Sequence, residues 1–146
     1  MNPVDQQTRF LMSTTKNEHF KKIFSMIPLV KDAPYTPKEF LVWWIKNYNS
    51  KFFRVWIETD EEQEKVYSFM IAHIVKPMFN DEVFILLTYI DPKSDAGHNL
   101  LGCVEGWART TGIKRISAYI HRNPEGFCEK YNFSKGHTEI FKDLSY

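Results

Sequence analysis

Residues 83–112 read VFILLTYIDPKSDAGHNLLGCVEGWARTTG, and this stretch decides the architecture. Positions 83–90 are apolar at nearly every step. A strand covered on both faces reads this way, because neither side of the pleat meets water. Residues 91–98 are polar and interrupted by Pro92 and Gly97, so a loop is predicted there. Leu100, Leu101, Val104, Trp107 and Ala108 then fall on one helical stripe, and Gly112 marks the stop. A buried strand, a short loop and an amphipathic helix together make an α/β unit.

Upstream, the pattern predicts a short strand at 8–13. Phe20, Ile23, Phe24 and Ile27 then recur at helical spacing, with Pro28 after them. Thr36-Pro37-Lys38-Glu39 is a helix start: Thr36 caps, Pro37 suits the first position, and Glu39 reaches back. Phe40, Leu41, Trp44, Ile45 and Tyr48 are predicted as the buried stripe of that helix. Trp43 falls off the stripe, which leaves it to line an acceptor pocket or a homodimer surface. Residues 52–59 and 66–75 read as strands of a hairpin, and the acidic run Asp60-Glu61-Glu62 as its solvated tip.

Downstream, a strand is predicted at 115–120. A short helix follows at 123–130, with Asn123 as cap and Pro124 in the first turn. Two short strands around 133–137 and 139–143 close the chain. The order β-α-α-β-β-β-α-β-α-β-β predicts an α/β fold. Its sheet is mixed, mostly antiparallel, of six or seven strands, with helices on both faces. No linker or repeat divides residues 1–146, so one domain is expected.

Composition narrows the function classes. Nineteen basic and 18 acidic side chains leave a net charge of +1, which argues against nucleic acid or an anionic membrane as partner. No apolar run approaches the roughly 20 residues that span a bilayer, and the N-terminal residues lack the pattern of a signal peptide. Cys103 and Cys128 are too few for a disulfide framework and do not form a CxxC pair. The expectation is a cytoplasmic protein without a metal site.

Residues 82–144 resemble the acyl-CoA-binding half of the GNAT superfamily of N-acyltransferases. The resemblance rests on Ile90-Asp91-Pro92 after the central strand, then Leu100-Leu101, Glu105, Ala108 and Gly112. It continues through Asn123 and the run Phe127-Cys128-Glu129-Lys130-Tyr131-Asn132-Phe133. No single piece is specific; their order and spacing carry it. It implies acetyl-CoA as co-substrate and an amine as acceptor. It also implies that the backbone at Tyr89-Ile90 binds the thioester carbonyl and that the pantetheine arm lies in a splay between the fourth and fifth strands. Lys93, Asp95, Ala96, Gly97, His98, Asn99 and Asn123 fall in the donor-binding segments. A pyrophosphate suits a helix N-terminus because unpaired N–H groups and the macrodipole favour anions there.

The sequence departs from the family at identifiable places. Pro92 stands at the expected basic or amide position, and Asp95 replaces the first glycine, where a carboxylate repels phosphate. Gly97 survives, and Lys93 or His98 is placed to compensate. The family's proton-donating tyrosine aligns with Cys128, while Tyr131 aligns with a core leucine. Asn132 takes the place of a glycine, a mild change because Asn tolerates the left-handed conformation.

Cys128 and Tyr131 are therefore the candidates for protonating the thiolate. Glu82, His121, His73 and Glu58 are the candidates for accepting the amine's proton. Each has a plainer reading: Cys128 and Tyr131 as packing residues, Glu82 as a strand start, His73 and His121 as polar strand residues. Three functions stay open. The first is N-acetyl transfer from acetyl-CoA. The second is a degenerate GNAT-like domain serving as an interaction or structural protein, of the kind found in compact genomes such as those of phages. The third is transfer from an aminoacyl-tRNA, which the near-neutral charge disfavours.

Overall fold

A computed structural model describes residues 8–30, 35–76, 80–119, 124–136, 140 and 142–145. The elements run β1 (Phe10–Ser13), α1 (Asn17–Met26), a 3-10 turn (Ile27–Leu29), α2 (Pro37–Asn47), β2 (Phe53–Thr59), β3 (Val66–Val75), β4 (Glu82–Tyr89), α3 (Gly97–Thr110), β5 (Ile116–Ala118) and α4 (Pro124–Tyr131). The five strands form one sheet in chain order. β1 to β4 pair antiparallel, and β5 joins β4 parallel.

The expected sixth and seventh strands are not found among the described residues. Residues 133–136, 140 and 142–145 carry no strand, and 137–139 and 141 lie outside the described set. Phe133 and Lys135 turn back to α4 instead: the Phe133 N–H donates to the Cys128 carbonyl, and Lys135 pairs with Glu125 at 2.8 Å. Phe133 packs 5.3 Å from Phe127, against the α3-side core.

Each central strand feeds two cores. On one face Trp56, Met70, Ala72, Val83 and Ile85 pack under α3 residues Leu100, Val104, Trp107 and Ala108. On the other, Val55, Ile57, Phe69, Ile71 and Leu87 pack under Phe20, Ile23, Phe40 and Trp44 of α1 and α2. Burial on both faces explains the almost uninterrupted apolar strands. α3 buries its whole predicted stripe, and Gly112 beyond it adopts φ +77°. Such a left-handed residue at a helix end favours glycine.

α2 begins as its sequence predicts. The Glu39 N–H donates to Thr36 Oγ1 at 3.1 Å, and the Thr36 N–H donates to Glu39 Oε1 at 3.2 Å. Its buried face differs from the predicted one. Phe40 and Trp44 are buried, but Leu41, Ile45 and Tyr48 are 42%, 62% and 48% exposed. Trp43 turns inward beside Phe40, 5.4 Å from Phe53. The helix is apolar nearly all round, so periodicity alone admits more than one face. The bulk of Phe24 and Phe53 against Trp44 selects the 40/43/44 face.

Two polar devices pin the hairpin between β2 and β3. Asp60 is buried rather than solvated, and its carboxylate accepts the N–H groups of Glu64 (2.8 Å) and Lys65 (3.1 Å). Those bonds, led by the one from Lys65, hold its carboxyl below the usual range. His19 on α1 is also buried. Its Nε2 donates to the Gln63 carbonyl at 2.7 Å, and Nδ1 of the neutral ring accepts from the Thr14 hydroxyl at 2.6 Å. Gln63 turns that carbonyl inward at φ 61°. Replacing His19 with leucine should cost about 2 kcal/mol of stability, because the Thr14 and Gln63 groups lose their partner. The urea midpoint measures this, and an unchanged midpoint would show that the two bonds are dispensable. No described helix is long and apolar enough to cross a membrane.

Candidate active site

β4 changes character halfway along. Ile71 on β3 faces Leu87, but its neighbour Ala72 faces Ile85, so Leu86 is an extra residue. A bulge of this kind resets the alternation of side chains and bends the strand. Before it, Val83 and Ile85 point to α3; after it, Leu87 points to α1 and α2, joined by the half-buried Leu86.

The same point ends the β4–β5 ladder among the described residues. Pairing covers Val83–Ile116, Phe84–Ser117 and Ile85–Ala118, and Tyr119 has already left it. Among the described residues, no β5 partner faces the second half of β4 past the bulge. A cleft of about 1700 Å³ borders the β4–β5 pair and reaches the bulge at Leu86, lined on the α2 side also by Trp43, His73, Glu82, Phe84 and Tyr119. It continues past Ser117 and Ala118 to Tyr131 and Phe133 on the α4 side.

The loop from β4 to α3 is held from below. Ser94 Oγ donates to one Glu58 carboxylate oxygen at 2.6 Å, and Ser68 Oγ to the other at 2.8 Å. The Asp91 N–H donates to Ser68 Oγ at 2.9 Å, and the Ala96 N–H to Ser94 Oγ at 3.1 Å. Arg9 closes the network at 2.8 Å from Asp91 and 3.6 Å from Glu58. The Lys93 N–H first, and then Arg9, overcome desolvation to keep the Asp91 carboxyl below its usual range. This linkage stabilises the loop fully above the unfolded aspartate value of about 3.9 and is lost as pH falls through the lower folded one.

At the end of that loop α3 starts without a side-chain cap, because its N-cap is Ala96. The N–H groups of Gly97, His98 and Asn99 open the helix with no acceptor from their own turn. Gly97 is buried, and a Cβ built there would lie 2.5 Å from the Tyr131 hydroxyl. A side chain at this position would require the Tyr131 hydroxyl to move aside. The residues with positive φ among those described are Gln63, Asn132 and Gly112. Asn132, at +60°, takes the left-handed conformation that its alignment with a glycine implies. The Tyr131 ring also lies 4.8 Å from the His98 ring, so this one side chain joins the cleft to the helix start.

The predicted site residues divide by position. Glu82 and Tyr131 line the cleft, at different ends. Glu82 accepts from Ser117 Oγ at 3.0 Å and lies 3.4 Å from Arg115. Cys128 is half-buried on α4 and is not on the cleft wall. Tyr89 and Ile90 lie past the bulge, where Tyr89 packs towards Phe69. Lys93, Asp95, His98 and Asn99 are exposed around the α3 start, with Ala96 and Gly97 buried beneath them. His121 and Asn123 lie outside the described residues. Glu58, 5% exposed with both oxygens bonded, anchors the loop and does not reach the cleft. His73 does line it: its Nδ1 must carry the proton it gives the Ile74 carbonyl at 3.1 Å, which leaves Nε2 to accept another.

Tyr35 and Tyr119 on the same wall were not foreseen. The alternation Arg115, Ser117, Tyr119 against Ile116, Ala118 carried the signal for Tyr119. The bulge at Leu86 had no signal, because 85–87 read Ile-Leu-Leu.

No family model matches the chain, and no curated protein matches its sequence. Solved structures do match its shape. The aminoglycoside 6'-N-acetyltransferase AAC(6')-Ih of Acinetobacter baumannii superposes with a TM-score of 0.75 at 11% identity, over 95% of this chain and 99% of that one. AAC(6')-Iy, in complex with a CoA-containing bisubstrate analogue, gives 0.74 at 11% identity over 95% and 99%. Glucosamine-6-phosphate N-acetyltransferase of Arabidopsis thaliana gives 0.70 at 13% identity over 95% and 100%. The chain has the fold of the GNAT acetyltransferases.

Proposed function

We propose that this protein transfers an acyl group, acetyl foremost, from acyl-CoA to an amine. The observation that carries the reading is the end of β4–β5 pairing at the Leu86 bulge among the described residues. A pantetheine arm fits such an opening, because its amides pair with strand edges as another strand would. The uncapped start of α3 supplies N–H groups and a positive dipole end for the phosphates, with Lys93 and His98 beside it. That similar folds have been crystallised with CoA supports the same ligand class here.

Acyl-CoA supplies the acyl group already activated as a thioester. The chain must then orient an amine, take its proton and polarise the carbonyl. Backbone N–H groups at 86–90, the segment that contains Tyr89-Ile90, serve the carbonyl oxygen in this reading. His73 Nε2 is the proton acceptor we favour over Glu82, whose carboxylate is engaged by Ser117 and Arg115. Of the two hydroxyl or thiol donors, Tyr131 lines the cleft and Cys128 does not, which supports Tyr131 as the source of the proton for the sulfur.

Calorimetric titration with acetyl-CoA, and with CoA as a second ligand, tests this reading. Micromolar binding, about −8 kcal/mol, is expected. Asp95→Asn should tighten it about fivefold, because an exposed carboxylate beside the pyrophosphate is removed and salt screens part of its effect. No heat at millimolar ligand would end the donor reading. It would favour a second one, an interaction protein, to which the outward face of α2 with exposed Leu41, Val42, Ile45 and Tyr48 points.

A further inference from the structure

The α2 side of the cleft is walled by rings from α2, β3 and β4, with Tyr119 just past β5 and Tyr35 in the lead-in to α2. Trp43 lies 5.3 Å from His73, His73 6.3 Å from Phe84, and Phe84 4.9 Å from Tyr119. On the other flank Trp43 lies 5.9 Å from Phe40, and Phe40 6.4 Å from Tyr35. Tyr35 and Tyr119 both line the cleft, and burial first, then Tyr119, push the Tyr35 phenol upward. Most of these rings are only half-buried, and Tyr119 is 63% exposed. Folding does not account for so much accessible aromatic surface in a concave place.

Glu39 and Glu82 line this wall, and Arg115, which lines it too, is held by Glu82 at 3.4 Å. Of the other cations that line the cleft, Arg109 and Lys135 are held by Glu105 and Glu125, and Lys114 is exposed. Ring faces carry a negative quadrupole and attract ammonium groups. A phosphorylated sugar would need free cations here. A sugar bearing several ammonium groups would need more unpaired carboxylates than the capped Glu39 and the bridged Glu82 provide.

Resting on the acyl-transfer reading, we infer that this basin is the acceptor site for a singly charged primary amine on a flat apolar body, an arylalkylammonium. The aromatic body stacks between Trp43 and Tyr119, and the ammonium turns to His73, whose Nε2 takes the proton before attack.

The test is calorimetry on the full chain with 2-phenylethylamine, its neutral counterpart 2-phenylethanol, and glucosamine 6-phosphate, each with and without CoA. The amine should bind, and the alcohol about tenfold more weakly. Tyr119→Ala and Trp43→Leu should each weaken the amine about tenfold, while the exposure of Tyr119 keeps the melting temperature of the first variant unchanged. Wild-type affinity in both variants, or tighter binding of glucosamine 6-phosphate, would overturn the assignment. Amine binding without any CoA binding would support the cation site and remove acyl transfer. CoA binding without amine binding would leave acyl transfer and remove this acceptor class.

Discussion

His73→Ala should lower kcat about a hundredfold at neutral pH, the usual effect of removing a positioned general base. The expectation follows from a fixed tautomer. A carbonyl only accepts hydrogen bonds, so the contact with Ile74 commits Nδ1 as donor and leaves the Nε2 lone pair for the cleft. Position supports the same role: His73 pairs with Phe84 on β4, two residues before the bulge. Three readouts separate a base from a packing residue. The acid limb of the pH–rate profile should vanish, KM for the donor should change little, and added imidazole should restore part of the rate. A variant that keeps half of the wild-type kcat with an unchanged profile would show that His73 only packs against Trp43.

Gly97→Val should cost about 2–3 kcal/mol of stability and loosen α4, an overpacking effect. Its Cβ would meet the Tyr131 oxygen at 2.5 Å and the ring carbons behind it at 3.3 and 3.4 Å. The oxygen is therefore the obstacle, since the ring carbons need give only a few tenths of an ångström. The milder Gly97→Ala should be destabilised alone and largely rescued by Tyr131→Phe, with a coupling of about 1 kcal/mol in the double-mutant cycle. Additive effects would mean that Tyr131 does not rest on the helix start. Acetyl-CoA affinity measured on the rescued pair then separates space for Tyr131 from space for a phosphate.

Much of the fold was legible in local chemistry. Thr36 and Glu39 specify their capping box within four residues, and the α3 stripe repeats often enough to admit one face. The family pattern placed the Asn132 turn, because a left-handed residue there must be glycine or something that tolerates its place. α2 was less legible: with apolar residues on several sides, its face was chosen by the rings of Phe24 and Phe53. Phe133 and Lys135 make their bonds to α4, through the Cys128 carbonyl and Glu125, and not to a sheet partner.

The candidate site depends still more on distance in sequence. His73 and Glu58 looked alike as polar residues on apolar strands, yet one lines the cleft and the other is locked under the loop by Ser68 and Ser94. Local sequence was enough for the α/β class, the order of helices and strands from β1 to α4 and the position of the α3 start. Those properties arise from hydrogen bonding and periodicity among near neighbours. Tertiary structure alone set the bulge at Leu86, the close approach of Tyr131 to Gly97 and the gathering of Trp43, His73, Phe84 and Tyr119. These are matters of volume and register between segments tens of residues apart, and no local pattern encodes which surfaces will meet.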